Sequence, residues 1–91
     1  METDAQRGLV ERARRGDHVA WEALYRHVYT RLRAYAVAHA GPAVAEDLVN
    51  EAMTRAVAGI GKFRWDGNGF DGWLFGILRR VCYEHHRRQH R

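Results

Sequence analysis

Residues 45–60 read AEDLVNEAMTRAVAGI, and the way their apolar and polar members alternate decides the fold. At 100° per residue Leu48, Val49, Ala52, Met53, Ala56 and Ile60 fall in one arc, while Asp47, Asn50, Glu51 and Thr54 fall in the opposite one. That is an amphipathic helix with one face for a core and one for something else. Three carboxylates, Glu46, Asp47 and Glu51, stand in its first half, although the whole chain carries 15 Lys+Arg against 11 Asp+Glu and a formal charge of +4.

The same helical spacing extends in both directions, and no segment sustains period-two alternation, so the expected class is all-α with four helices. A first helix is expected from about Asp4 to Arg15, with Leu9, Val10 and Ala13 inward and Gly16 as its stop. Asp17 suits the N-cap of a second helix, whose Trp21, Leu24, Tyr25, Val28, Leu32, Tyr35 and Ala36 make one apolar stripe. Gly41 can end that helix and Pro42 can open the third, which runs to about Ile60. The stretch GKFRWDGNG, residues 61–69, has no helical period and reads as a loop. Asn68 or Gly69 then caps a fourth helix beginning near Phe70, with Phe70, Trp73, Leu74, Ile77, Leu78 and Val81 toward the core.

With 91 residues, one proline and no Ser/Gly/Pro tract, residues 1–91 are expected to form one domain. A hydrophobic fraction of 46% beside 29% charged residues excludes a disordered chain. No run approaches the ~18 apolar residues of a membrane span, and no signal peptide opens the chain. A single cysteine, Cys82, forms no internal disulfide, and together these features point to a cytoplasmic protein. No phosphate-binding Gly-rich loop, nucleophile elbow or cysteine cluster supports catalysis, so no enzyme, catalytic residue or cofactor is expected. Nor is a metal site: His85 and His86 diverge on a helix, and His27 and His39 lack i, i+4 pairing with acids.

For the acids of the third helix three readings compete. They are a solvated face complementing the helix dipole, a carboxylate pair for acid–base work, or a docking patch for a basic partner. The catalytic reading fares worst, because neither Asp47 nor Glu51 has an apolar neighbour on its own face to raise its pKa. The loop and last helix add more. Phe63, Trp65, Phe70, Trp73 and Phe75 are interleaved with Lys62 and Arg64, and aromatics beside cations can hold unstacked bases at ~1–3 kcal/mol per base. Packing of the loop by its own aromatics is the competing reading. Opposite the apolar face of the fourth helix lie Gly72, Gly76, Arg79, Arg80, Tyr83 and Arg87, a surface suited to lie along a phosphate backbone. Five arginines and three histidines between Arg79 and Arg91 form either a solvated basic end or part of that surface.

The order AEDLVNEA followed by RAVAGIGKFRWDGNGFDGWLFGILRRV resembles region 2 of bacterial sigma factors, especially the extracytoplasmic-function (ECF) group, over roughly residues 8–90. The resemblance implies a compact four-helix domain that serves transcription initiation. It implies docking of Asp47, Asn50, Glu51 and Thr54 on the clamp helices of the RNA polymerase β′ subunit. It implies recognition and melting of the minus-ten promoter element, with the loop capturing a base of the single-stranded non-template strand. The positions that would meet DNA are Lys62, Phe63, Arg64, Trp65 and Asn68 in the loop, and Arg79, Arg80, Tyr83 and Arg87 on the last helix. An anti-sigma factor is a further implied partner, and an all-helical interaction module without promoter activity is the alternative reading. Two departures stand out: Gly76 where the family commonly has Arg, and Arg80 where it commonly has Asn. The paired tryptophans of primary sigma factors are replaced by Gly76 and Ile77. The family's second helical domain, region 4, has no counterpart in residues 1–91, as in a domain taken from a longer protein or a natural single-domain relative.

Overall fold

A computed structural model of the chain describes residues 3–90; Arg91, the last of the basic run, lies outside them. Four helices follow one another: α1 (Asp4–Arg14), α2 (His18–Ala40), α3 (Pro42–Gly59) and α4 (Gly69–Gln89), with a single 3-10 turn, Ile60–Lys62, behind α3. Among the described residues there is no strand, as the spacing of apolar residues requires.

Local chemistry explains most boundaries. The Thr3 hydroxyl accepts from the Gln6 amide at 3.1 Å and starts α1. Asp17 caps α2 by accepting from the amides of Val19 and Ala20 at 2.9 and 3.2 Å. Gly16 and Gly41 take φ of +89° and +88°, a region that side chains avoid, and so turn the chain out of α1 and α2. Pro42 occupies the first position of α3, where an amide hydrogen would have no acceptor.

The fourth start differs from expectation. Asn68 holds the N-cap position, but its side chain caps nothing. Asp66 does the work instead: its Oδ1 accepts the Asn68 amide at 2.8 Å and its carbonyl accepts the Gly69 amide at 3.1 Å, an Asx-type turn that feeds the helix.

α2 is the central element and packs on α1, α3 and α4. Its Leu24, Val28 and Leu32 are buried against Val10 and Ala13 of α1, Val49 and Ala52 of α3, and Leu74 and Leu78 of α4, in one continuous core. Burying one such side chain is worth about 1.5–3 kcal/mol, more than a typical helix cap, so packing rather than propensity holds the helices. Cys82 is buried in this core, which pushes its thiol pKa up. No helix of the described residues is long and apolar enough to cross a membrane.

Candidate functional site

Two surfaces contain the residues singled out in the sequence. On α3, Asp47, Asn50, Glu51 and Thr54 are all exposed and form a ridge, with Leu48, Val49 and Ala52 buried behind it. The three-carboxylate cluster nevertheless divides. Glu46 turns to α2, where it accepts from the Tyr29 hydroxyl and pairs with Arg33 at 3.4 Å, so it serves the α2–α3 joint. Glu51 pairs with Arg55 at 2.9 Å. Asp47 has no hydrogen bond or ion pair among the described residues, and the Asn50 side chain likewise has none. The Thr54 hydroxyl donates to the Asn50 carbonyl at 3.0 Å.

A groove flanks the ridge on each side. Asn50 and Thr54 border an apolar one between α2 and α3, lined by Trp21, Tyr25, Met53 and Val57, and Val57 is 50% exposed. Asp47 and Glu51 border a mixed one between α3 and α4, which Arg55, His85 and Arg88 share. Across that second groove Arg55 grips Glu84 with two hydrogen bonds, at 2.7 and 3.3 Å, and Arg80 reaches the same carboxylate at 3.3 Å. The Arg55 guanidinium holds the Glu84 carboxyl below the usual carboxylate range, and Glu84 in turn raises the Arg55 pKa. Acids and bases thus run in one chain, Glu51–Arg55–Glu84–Arg80, from the ridge onto α4.

The loop surface departs further from expectation. Phe63, proposed from the sequence as a base contact, is only 1% exposed. Its ring is the hub of an aromatic cluster, with centroids 4.9 Å from Trp65, 5.7 Å from Phe70 and 5.1 Å from Trp73. A base could meet it only by opening the core, so Phe63 is a packing residue and leaves the set of direct contacts. Trp65 is half-buried: its indole N–H donates to Glu11 Oε2 at 3.2 Å and the Arg7 guanidinium lies 4.3 Å from its ring centroid. One flank of the indole is therefore already covered.

Lys62, Arg64 and Asn68 are exposed. Arg64 folds back to donate to the carbonyls of Gly61 and Phe63 at 3.2 and 3.0 Å. Beside these residues a concavity opens between α1 and the start of α4, lined by Gln6, Asp66, Gly67, Asn68, Gly69, Phe70 and Asp71. On α4, Arg79, Arg80, Tyr83 and Arg87 are exposed, Tyr83 by 60%, and Gly76 with Arg79, Arg80 and Tyr83 lines a shallow apolar depression. Gly72 and Gly76 of that helix are not equivalent. A Cβ on Gly76 would meet nothing within 4 Å, whereas one on Gly72 would stand 2.6 Å from the Asn68 Cβ. Gly72 is explained by the turn before α4; only Gly76 leaves bare backbone for a partner.

Sequence reasoning placed α1 but missed its hold on the loop. Glu11 Oε2 accepts from both Trp65 and Arg14, and these two donors hold its carboxyl below the usual range. Arg14 also donates to the carbonyls of Ile60 and Phe63 at 3.2 and 3.0 Å. Gln6, 7% exposed, donates to Asp71 Oδ1 at 2.8 Å, and Arg31 of α2 holds the other oxygen of Asp71 at 3.0 Å. The i, i+3 spacing of Glu11 and Arg14 was visible in the sequence, but it says nothing about a loop 46 or more residues away. Among the described residues no group of three or more His, Cys, Asp or Glu is arranged to hold a metal.

Comparison with known proteins bears on these surfaces. The ECF RNA polymerase sigma factor BldN of Streptomyces coelicolor is 35% identical over 85 residues, which cover 85% of this chain and 30% of that protein. The ECF RNA polymerase sigma factor EcfG of Rhodopseudomonas palustris is 41% identical over 61 residues, covering 66% of this chain and 33% of that protein. The chain therefore spans about a third of the length of these curated relatives. No solved structure is matched by it. The model of the Sigma-70 region 2 family matches residues 22–91, from Glu22 of α2 through α4, and with the two relatives it shows that the chain belongs to that family, as a region 2 domain of the ECF type.

Proposed function

We propose that this domain acts in an RNA polymerase sigma factor, docking on the β′ clamp helices through the α3 ridge and recognising and melting the minus-ten promoter element through the loop and α4. The observation that supports docking is the ridge itself. Asp47 stands exposed with no partner among the described residues, so a basic partner surface gains its charge without first breaking an ion pair there. On the DNA side, Asn68 lines the loop concavity, Lys62 and Arg64 are exposed on the same loop, and Trp65 is half-buried with one flank covered. Arg79, Tyr83 and Arg87 are placed to follow a phosphate backbone, while Arg80 must first leave Glu84. Extruding a base costs a few kcal/mol, and a loop that accepts one base better than others turns melting into sequence recognition.

A second reading has one observation in its favour. The apolar groove of Trp21, Tyr25, Met53 and Val57 beside the ridge suits a protein helix, and an anti-sigma factor held there would make the domain an interaction module without promoter activity.

Asp47→Lys separates the two. It reverses the charge of an unpartnered residue and leaves the Arg55 clasp intact, which Glu51→Lys would not. The sigma reading expects binding to core polymerase to be lost while salt-dependent binding of a minus-ten-type single strand persists. Polymerase binding by the variant at the parental level refutes docking through this ridge.

A further inference from the structure

We infer that the Glu11–Arg14 pair of α1 is the positioning element of the strand-capturing loop, a role that rests on the reading of that loop given above. α1 lies wholly outside residues 22–91, where the family model matches, so nothing in that match assigns it a part.

The geometry is that of a buckle. One guanidinium, that of Arg14, donates to two backbone carbonyls, those of Ile60 at the start of the 3-10 turn and of Phe63 just after it. The same side chain lies 5.3 Å from the Phe63 ring centroid. Its Nε donates to Glu11 Oε2 at 3.1 Å, and that oxygen also receives the Trp65 indole N–H at 3.2 Å. Two side chains one helical turn apart thus hold residues 60, 63 and 65. Farther up the same helix Gln6 holds Asp71. The segment from Asp66 to Gly69 hangs between these anchors with only its own Asx turn for internal support.

Capturing an extruded base requires a loop whose shape exists before the base arrives, because any freedom the loop retains is lost on binding and weakens it. A loop of this composition, with Gly61, Gly67 and Gly69, has little intrinsic preference for one shape. Its partners on α1 provide the constraint. Val10 and Ala13, 0% and 2% exposed, seat α1 on the core, whereas Glu11 and Arg14 are only partly buried. Removing the buckle therefore frees the loop while α1 stays docked.

The test uses the chain assembled with core RNA polymerase and a minus-ten-type single strand carrying 2-aminopurine, whose emission rises when it is unstacked. Arg14→Ala and Glu11→Ala are expected to weaken strand binding about tenfold each, the loss of one or two hydrogen bonds' worth of preorganisation, with polymerase affinity unchanged. Glu11→Gln keeps an acceptor for the Trp65 indole and is expected to recover most of what Glu11→Ala loses. Hydrogen exchange should quicken at residues 60–69 and stay at parental rates in α2 and α3. Parental strand affinity in both alanine variants overturns the inference, as does equal loss of strand and polymerase binding. If the parent chain itself binds no strand, the loop reading falls and this inference with it.

Discussion

The α3 ridge and the loop between α3 and α4 are both exposed and polar, yet they hold their shapes by different means. Asp47, Asn50, Glu51 and Thr54 share a face because the helix repeats every 3.6 residues, and their orientation follows from the burial of Leu48, Val49 and Ala52 behind them. The loop has no period. It keeps its course because Phe63 is plugged into the aromatic cluster and because Glu11 and Arg14 reach it from α1, while Gln6 holds Asp71 at the head of α4. A helical surface tolerates single changes, whereas a loop held by a few distant contacts fails when one of them goes.

The sharpest way to break that contrast is at Phe63. Phe63→Ala should cost about 3–5 kcal/mol, the usual penalty for emptying a buried aromatic site, against no measurable change for Asp47→Ala on the ridge. Urea unfolding of both variants checks it, and similar midpoints would show that the loop is not anchored through this ring.

Gly72 and Gly76 sharpen the comparison next, because they lie one turn apart with opposite expectations. Gly72→Ala forces a Cβ onto the Asn68 Cβ and should destabilise by roughly 1–3 kcal/mol through displacement of the turn before α4. Gly76→Ala meets open space and should stabilise by up to about 1 kcal/mol, from helix propensity alone. Thermal melts of the two variants should move in opposite directions, and a shared sign would contradict the geometry around Asn68.

The smallest effect concerns acid. Glu11, Asp17 and Glu84 all have carboxyls held below the ordinary range, by Trp65 and Arg14, by Arg12 and the Ala20 amide, and by Arg55 respectively. A folded-state pKa below the unfolded value means that the stabilisation is present above the unfolded value and lost as pH falls through the folded one. The melting temperature should therefore be insensitive to these three groups at neutral pH and should fall below about pH 4, modestly, because solvent screens groups this exposed. A melting temperature that rises on acidification below that point would contradict the assigned pairings.

What could be read from the residue order alone was what local physics controls. Helix number, the cap at Asp17, the stops at Gly16 and Gly41, Pro42 at the head of α3 and the outward face of Asp47 to Thr54 all depend on neighbours within a turn or two. The family, too, was legible, because its motifs occupy that same helical frame. Phe63 and Trp65 were not legible as anchors: an aromatic flanked by Lys62 and Arg64 has the same local pattern whether it faces a base or a core. Their roles depend on α1, some fifty positions away in the chain. Sequence by itself determined the helices and the ridge, since side-chain periodicity and capping act at short range. Only the tertiary structure decided the loop, because its shape depends on hydrogen bonds and ring contacts that come into being when α1 is brought against the loop and the head of α4.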